Sequence, residues 1–175
     1  QRQMCIRDSS IGGSDSGGGA GLQADLRTFM ALKVHGCSAI TCITAQNSCG
    51  VSAVEAVKVN TLSTQIDCLF SDFNIKCLKT GMLLNEEIIT HTAKRIKDYS
   101  IPKIIDPVMV SRTGAQLLES KAVDAYKKFI FPQASLLTPN IFEAKILTNQ
   151  EIKNKQDIEN AGKRILEFGP KAVLI

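Results

Sequence analysis

Short apolar runs alternate with longer amphipathic segments along most of the chain. Residues 38–45, 77–82, 103–106, 135–138 and 172–175 are apolar for most of their length, the pattern of strands covered on both faces. Between them, residues 21–34, 62–73, 86–99, 120–131, 142–147 and 156–168 carry apolar side chains three and four apart, as Ile158, Ala161 and Ile165 do. That spacing predicts amphipathic helices. Strand and helix in alternation predict βαβ units around a mostly parallel central sheet with helices on both faces, an α/β fold. No internal repeat or low-complexity linker interrupts the pattern, and residues 1–175 are of a length that suits a single domain.

Three stretches depart from this rhythm. Residues 46–60, "QNSCGVSAVEAVKVN", alternate small and β-branched residues and predict a short pair of extended strands, a flap outside the main sheet able to cover a ligand. Residues 1–8, "QRQMCIRD", are polar where a doubly wound fold calls for a buried first strand. Either that strand shrinks to about Ser10–Gly12, or the octet is non-native or disordered. The far end stops at "GPKAVLI", a turn and a strand with no helix to cover it, which predicts a domain incomplete at its C-terminus.

Composition removes several function classes. The net charge of +4 comes from lysines interleaved with acids, which predicts neither a nucleic-acid patch nor a membrane-surface helix. No apolar stretch approaches the roughly 20 residues of a membrane span, and the start lacks the apolar core of a signal peptide. A cytoplasmic location follows as the expectation. The six cysteines are irregularly spaced with no C-x-x-C pair, so they predict reduced thiols serving as small core residues rather than a zinc site.

Candidate chemistry begins in "GGSDSGGGAGLQAD", residues 12–25, where glycines crowd ahead of a helical pattern. No Gly-Lys-Ser/Thr follows, so this is not a Walker A loop, and no acidic residue closes the next strand, which argues against a dinucleotide site. What remains is a loop of little bulk entering a helix N-terminus, with backbone N–H groups facing whatever approaches, or simply a flexible turn. Asp25 falls beside the apolar stripe of Leu22, Leu26 and Phe29. It reads either as a carboxylate waiting for a ligand's donors or as a first-turn acid facing the helix dipole. Further on, Gln46, Gly81, Met82, Asp106, Thr138 and Asn140 follow apolar runs, at the strand ends that border the crevice of an open parallel sheet. Pro107 holds Asp106 extended. In "TPNIFE", Asn140 and Glu143 fit a helix N-cap and its partner.

The blocks "GGSDSGGGAGLQADLRTFMAL", "HGCSAITCITAQNSCGV", "KTGML", "IIDPVMVSRTG" and "LLTPNIFEAKILT" resemble, in order, the signature segments of the hydroxymethylpyrimidine/phosphomethylpyrimidine kinases of thiamine biosynthesis, in the ribokinase-like superfamily. The resemblance implies a ribokinase-like fold and ATP-dependent phosphorylation of an aminopyrimidine alcohol and of its monophosphate. It implies that Gly13 lies close to the pyrimidine ring, that Asp25 and Gln46 bond its nitrogens, and that Met82 and Val108 pack on it. It further implies that Asp106, Asn140 and Glu143 organise Mg2+ around the ATP phosphates, with Asp106 and Glu143 toward the metal, and that the full-length chain is a homodimer.

Two departures qualify the resemblance. The family begins with an apolar strand where this chain has "QRQMCIRDS". The family also continues past "KAVLI" into Lys-Gly-Gly-His and Gly-Thr-Gly-Cys or Gly-Thr-Gly-Asp segments that supply the anion hole and catalytic base, and neither occurs here. The catalytic base is therefore expected beyond Ile175. Residues 1–175 are expected to lack kinase activity on their own and to leave Ala172 to Ile175 as an exposed apolar edge. Two other readings stay open: a pyridoxal kinase, and a pyrimidine-binding protein without catalysis.

Overall fold

In the computed structural model, which describes residues 6–109 and 120–175, six strands form one sheet. They are β1 (Arg7–Asp15), β2 (His35–Asn47), β3 (Gly50–Ala56), β4 (Cys77–Thr80), β5 (Lys103–Ile105) and β6 (Leu136–Leu137). Their order is β3-β2-β1-β4-β5-β6, and every pairing is parallel except the β2–β3 hairpin. The helices are α1 (Gly21–Ala31), α2 (Val59–Asp72), α3 (Glu86–Ile96), α4 (Ser120–Ala125), α5 (Ile141–Thr148) and α6 (Lys155–Leu166).

The chain leaves β1 in one direction to reach β2 and in the other to reach β4, so the strand order reverses between β1 and β4. Right-handed crossovers then put α1 on one face and α2, α3 and α4 on the other. The packing agrees: α1 lies on β1 and β2, whereas α2 touches α3 and α3 touches α4. The main apolar core fills the second face. Ile11, Leu78, Ile105 and Leu137 from four adjacent strands meet Leu62, Ile66, Ile89, Tyr126 and Phe131, all but completely buried. On α1 only Leu22 is buried, and it lies outside that cluster.

The strands and helices differ from the sequence expectation in instructive places. Arg7 and Asp8, assigned to a non-native or disordered octet, are the first two residues of β1, in register with His35 and Gly36 of β2; residues 1–5 lie outside the described residues. A central strand gains its stability from hydrogen bonds on both edges, so serine and glycine serve where hydrophobicity was expected. Ser9, Ser10, Ile11, Gly12 and Gly13 are all buried. The flap is part of the sheet itself, because β3 pairs directly with β2 along Cys42–Asn47, although every residue of β3 is exposed. The helix over 120–131 gives way after Ala125 to a π-helical turn, Tyr126–Ile130, and a 3-10 turn at Phe131–Gln133 around Pro132. Residues 110–114, the end of the block "IIDPVMVSRTG", lie outside the described residues. Of the cysteines, Cys37 and Cys42 serve as core residues, but Cys49 and Cys68 are exposed.

The expectation of an exposed apolar edge over Ala172 to Ile175 is corrected in part. Val173 makes a single parallel bridge to Leu137 in place of a full strand, and Leu174 is exposed. Val173 and Ile175, however, are half-buried and pack against the main core. The reason is α6, which folds back over this end of the chain: Ile175 Cδ1 comes within 3.8 Å of where a Cβ would stand on Gly162. Strand alternation then leaves only Ala172 and Leu174 to face outward.

Leu78 sits fully buried at the middle of this arrangement, on the strand beside the reversal. Truncating it removes buried methyl groups from a core closed on all sides. Leu78→Ala should lower the unfolding free energy by about 2–5 kcal/mol, read from urea midpoints at unchanged slope. A loss under about 0.5 kcal/mol would show that the core is not continuous across β4.

Candidate functional site

The reversal between β1 and β4 opens a crevice at the carboxyl ends of the strands, where ligands of open α/β sheets bind. A cavity of about 750 Å³ lies there, lined by Gly13, Asp25, Gln46, Met82, Asp106 and Val108 among others. Residues far apart along the chain thus share one surface. Gly13 keeps this wall low: a Cβ there would sit 2.9 Å from Cys42 Sγ and 3.3 Å from Met82 Cε, so those side chains would have to shift. Burial pushes the Cys42 thiol above its ordinary range, so it packs here as a neutral group.

The glycine stretch has a definite conformation rather than a merely flexible one. Asp15, which is almost fully buried, accepts from Gly17 N at 2.8 Å through Oδ1 and from Ala20 N at 2.8 Å through Oδ2. Its carboxylate occupies the N–H groups that a phosphate would otherwise take. Gly17 backs onto the β2–β3 hairpin, where a Cβ would lie 3.2 Å from both Asn47 Cα and the Gln46 carbonyl oxygen. Ser16 completes that seam: its Oγ donates to the Gln46 carbonyl at 2.7 Å and accepts from Gln46 N at 2.8 Å. The Gln46 side-chain amide nitrogen has no partner among the described residues, which leaves a donor toward the cavity.

Asp25 is the fifth residue of α1, and the first turn of that helix holds no acid, so the dipole reading fails. Its carboxylate faces the sheet. Ser10 Oγ donates to Oδ2 at 2.6 Å, and Lys79 Nζ donates to Oδ1 and Oδ2 at 2.8 and 3.0 Å. The same ammonium stands 3.8 Å from Asp106 Oδ2. Burial pushes the Asp106 carboxyl above the usual carboxylate range, Lys79 pulls it back, and the Asp25 charge adds to the rise. Three charged groups on α1, β4 and the end of β5 therefore meet on the cavity floor.

Asn140 and Glu143 are not among the residues lining this cavity. They form the capping box that their spacing predicts: Asn140 Oδ1 accepts from Glu143 N at 3.0 Å, and Glu143 Oε2 accepts from Asn140 N at 2.9 Å. Glu143 Oε1 also accepts from Met109 N at 3.1 Å. The buried carboxylate thus ties the segment after Asp106 to the start of α5. Among the described residues, no three His, Cys, Asp or Glu side chains converge as a metal cluster.

Sequence reasoning passed over Lys79, Ser10 and Asp15. A signal for Lys79 existed: a lysine within a short, otherwise buried strand needs an anionic partner. Ser10 and Asp15 gave no such signal, since serine and aspartate beside glycines ordinarily mean a turn.

Comparison with known proteins supplies a family. The family model described as phosphomethylpyrimidine kinase matches residues 15–175. A hydroxymethylpyrimidine/phosphomethylpyrimidine kinase of Synechococcus elongatus is 50% identical over 166 residues, covering 95% of this chain and 63% of the relative. The chain therefore spans a little under two thirds of that relative's length. The crystal structure of phosphomethylpyrimidine kinase from Clostridium difficile 630 superimposes with a TM-score of 0.91 at 43% identity, over 97% of this chain and 74% of the other. Pyridoxal kinase from Staphylococcus aureus, solved with AMP-PCP and pyridoxal, gives 0.84 at 31% identity, over 96% of this chain and 61% of the other.

Glu143 offers a test of the architecture around Asp106. Glu143→Ala leaves the buried Met109 N–H and the part-buried Asn140 N–H without their acceptor and should cost about 2–4 kcal/mol in chemical unfolding, whereas Asn140→Ala should cost about 1 kcal/mol. Equal and small losses from both would show that the carboxylate does not hold the segment at Met109.

Proposed function

Because the chain belongs to the phosphomethylpyrimidine kinase family, matched over residues 15–175, we propose that it carries the pyrimidine-binding half of an ATP-dependent hydroxymethylpyrimidine/phosphomethylpyrimidine kinase of thiamine biosynthesis. The reaction moves a phosphoryl group from ATP to the hydroxymethyl oxygen of the aminopyrimidine, and then to its monophosphate. The observation that carries this reading is the gathering of Gly13, Asp25, Gln46, Met82 and Val108 around one cavity at the strand-order reversal.

In that cavity each side chain has a task its chemistry fits. Gly13 lets the flat ring lie against the strand. The Gln46 amide both donates and accepts, as a ring nitrogen beside an exocyclic amine requires. Asp25 accepts from the amine, and Met82 and Val108 cover the ring faces as apolar walls. Asp15 fills the glycine loop, so that loop serves the pyrimidine end and the phosphates of ATP lie elsewhere along the crevice. The base that takes up the hydroxyl proton is assigned, in this reading, to the part of the relatives' length that this chain does not match.

Asp106 fits a magnesium ion: it is a hard oxygen donor at a strand end, partly exposed toward the cavity, with an anionic charge that Lys79 only partly compensates. Magnesium, when bound, neutralises phosphate charge as the phosphoryl group moves. Glu143 already accepts from two backbone N–H groups, so its part is to hold the segment behind Asp106, with Asn140 as its capping partner. A cytoplasmic setting follows from the biosynthetic role, and among the described residues no helix is long and apolar enough to cross a membrane. A homodimer remains the expected state of the full-length chain. Pyridoxal phosphorylation is the second reading, supported by the fold shared with the Staphylococcus aureus enzyme at its lower identity. Assaying both alcohols with ATP separates the two.

Gln46→Ala in the full chain should weaken pyrimidine binding by about 1–3 kcal/mol, the cost of leaving ligand polar groups unpaired; calorimetry showing unchanged affinity would remove Gln46 from the site. Asp106→Asn should lower turnover by about 100-fold or more while changing pyrimidine affinity far less, since in this reading its carboxylate would hold the magnesium ion that neutralises the phosphoryl group in flight. Parallel losses in the two quantities would make Asp106 a structural residue.

A further inference from the structure

Lys79 stands within β4 between Leu78 and Thr80, both fully buried. Strand alternation turns it to the opposite face, under α1. Its neighbour in register on β1 is Ser10, and the two converge on one carboxylate. Asp25 receives three short donations there, at 2.6, 2.8 and 3.0 Å, all from the sheet side. A carboxylate has about four acceptor positions, so three are taken and one is left on a residue that lines the cavity. The ammonium spends two contacts on Asp25 and stands farther, at 3.8 Å, from Asp106. The two carboxylates are thus treated unequally. One is locked in orientation, and the other keeps its side chain about one-third exposed.

We propose that Lys79 is a positioning residue of the pyrimidine site: its ammonium fixes the direction of the Asp25 carboxylate and separates it electrostatically from Asp106, so that one side chain serves the ring and the other the transferred group. The inference deepens the proposed function and rests on it for the identity of the ligand. Lys79 makes no bond to the pyrimidine in this scheme. It acts through Asp25. Without it, two partly buried carboxylates would face each other with no cation between them, and Asp25 would keep only Ser10.

The test is a double-mutant cycle in the full chain, read two ways. Calorimetric titration with the hydroxymethylpyrimidine alcohol is run on the parent, Lys79→Met, Asp25→Asn and the double variant, and the χ1 couplings of Asp25 are measured by NMR in the ligand-free parent and in Lys79→Met. Lys79→Met is expected to weaken binding about tenfold or more, and adding it to Asp25→Asn should bring no more than about a further twofold loss. In the ligand-free protein Asp25 should pass from one χ1 rotamer to averaging. Losses that multiply in the double variant, or an Asp25 that keeps its rotamer in Lys79→Met, overturn the proposal. A parent chain that does not bind the pyrimidine, with Asp25 still losing its rotamer, overturns the substrate reading and supports the positioning role. If Lys79→Met folds poorly, Lys79→Met with Asp106→Asn removes one charge of each sign, and its affinity should fall about tenfold below that of Asp106→Asn alone; equal affinities would overturn the proposal.

Discussion

The close approach of α1 to β1 is the constraint on which the open end of the sheet depends. Gly21, at φ +57, starts the helix so near the strand that a Cβ there would lie 2.5 Å from the Gly13 carbonyl oxygen. Any other residue would push the helix outward. Polar groups seal the approach beside Gly21: Gln23 Oε1 accepts from Asp15 N at 2.8 Å, and its Nε2 donates to Ser14 Oγ at 2.9 Å. Two residues later on the same helix, Asp25 meets Ser10 and Lys79. Gly21 therefore has a task distinct from that of the other glycines along the cavity wall: it lets a helix come close enough to lay a carboxylate on the sheet.

From this follows the division of labour between the two faces. The α2–α4 face carries the fully buried aliphatic cluster and supplies stability. The α1 face fully buries one leucine, with Leu26 and Phe29 half-buried against Gly36 of β2, so its position relies on hydrogen bonds and an ion pair as well as on packing. Each such group is costly when unpaired, so the arrangement holds only as a complete set. The cavity lies between these regimes, with one wall set by packing and the other by charge. Tyr126 links them, since its buried hydroxyl donates to the Gly81 carbonyl at 3.3 Å, directly beneath the strand end that presents Met82.

The parallel strands β2, β4 and β5 were legible because a strand buried on both faces is mostly apolar, and residues 38–45, 77–82 and 103–106 are apolar for most of their length. β1 was not, because its burial is met by serine and glycine: Ser9, Ser10 and Gly12 are buried without being hydrophobic. The hairpin was visible as extended chain, yet its place in the sheet was not, since β3 has no buried residue to betray the pairing. The cover over Ile175 was equally hidden, because the helix that supplies it precedes that residue in the chain and returns only through the fold. At the cavity, strand-end residues such as Gln46, Met82 and Asp106 could be found by asking which positions follow an apolar run. Lys79 escaped that question because it precedes its strand's end and its partner, Asp25, is 54 positions away. For Asn140 and Glu143, local spacing gave the capping box, and the structure shows that box in full.

An ion pair at this depth requires a reason beyond stability. Replacing a partly buried pair by well-packed apolar residues is often neutral or favourable, so attraction between Lys79 and Asp25 alone does not account for placing three charges on a cavity floor. Apolar residues there would pack α1 equally well, and Leu22, Leu26 and Phe29 already begin such a stripe. Under the proposed function, they would leave a site unable to accept from an amine at one end and to face phosphate chemistry at the other. Two carboxylates are needed for two tasks, and two carboxylates this close repel. One ammonium biased toward Asp25 reduces that repulsion and keeps the two groups distinct. On this argument the charge cluster is a cost set by recognition, offset on the opposite face of the sheet by the aliphatic core.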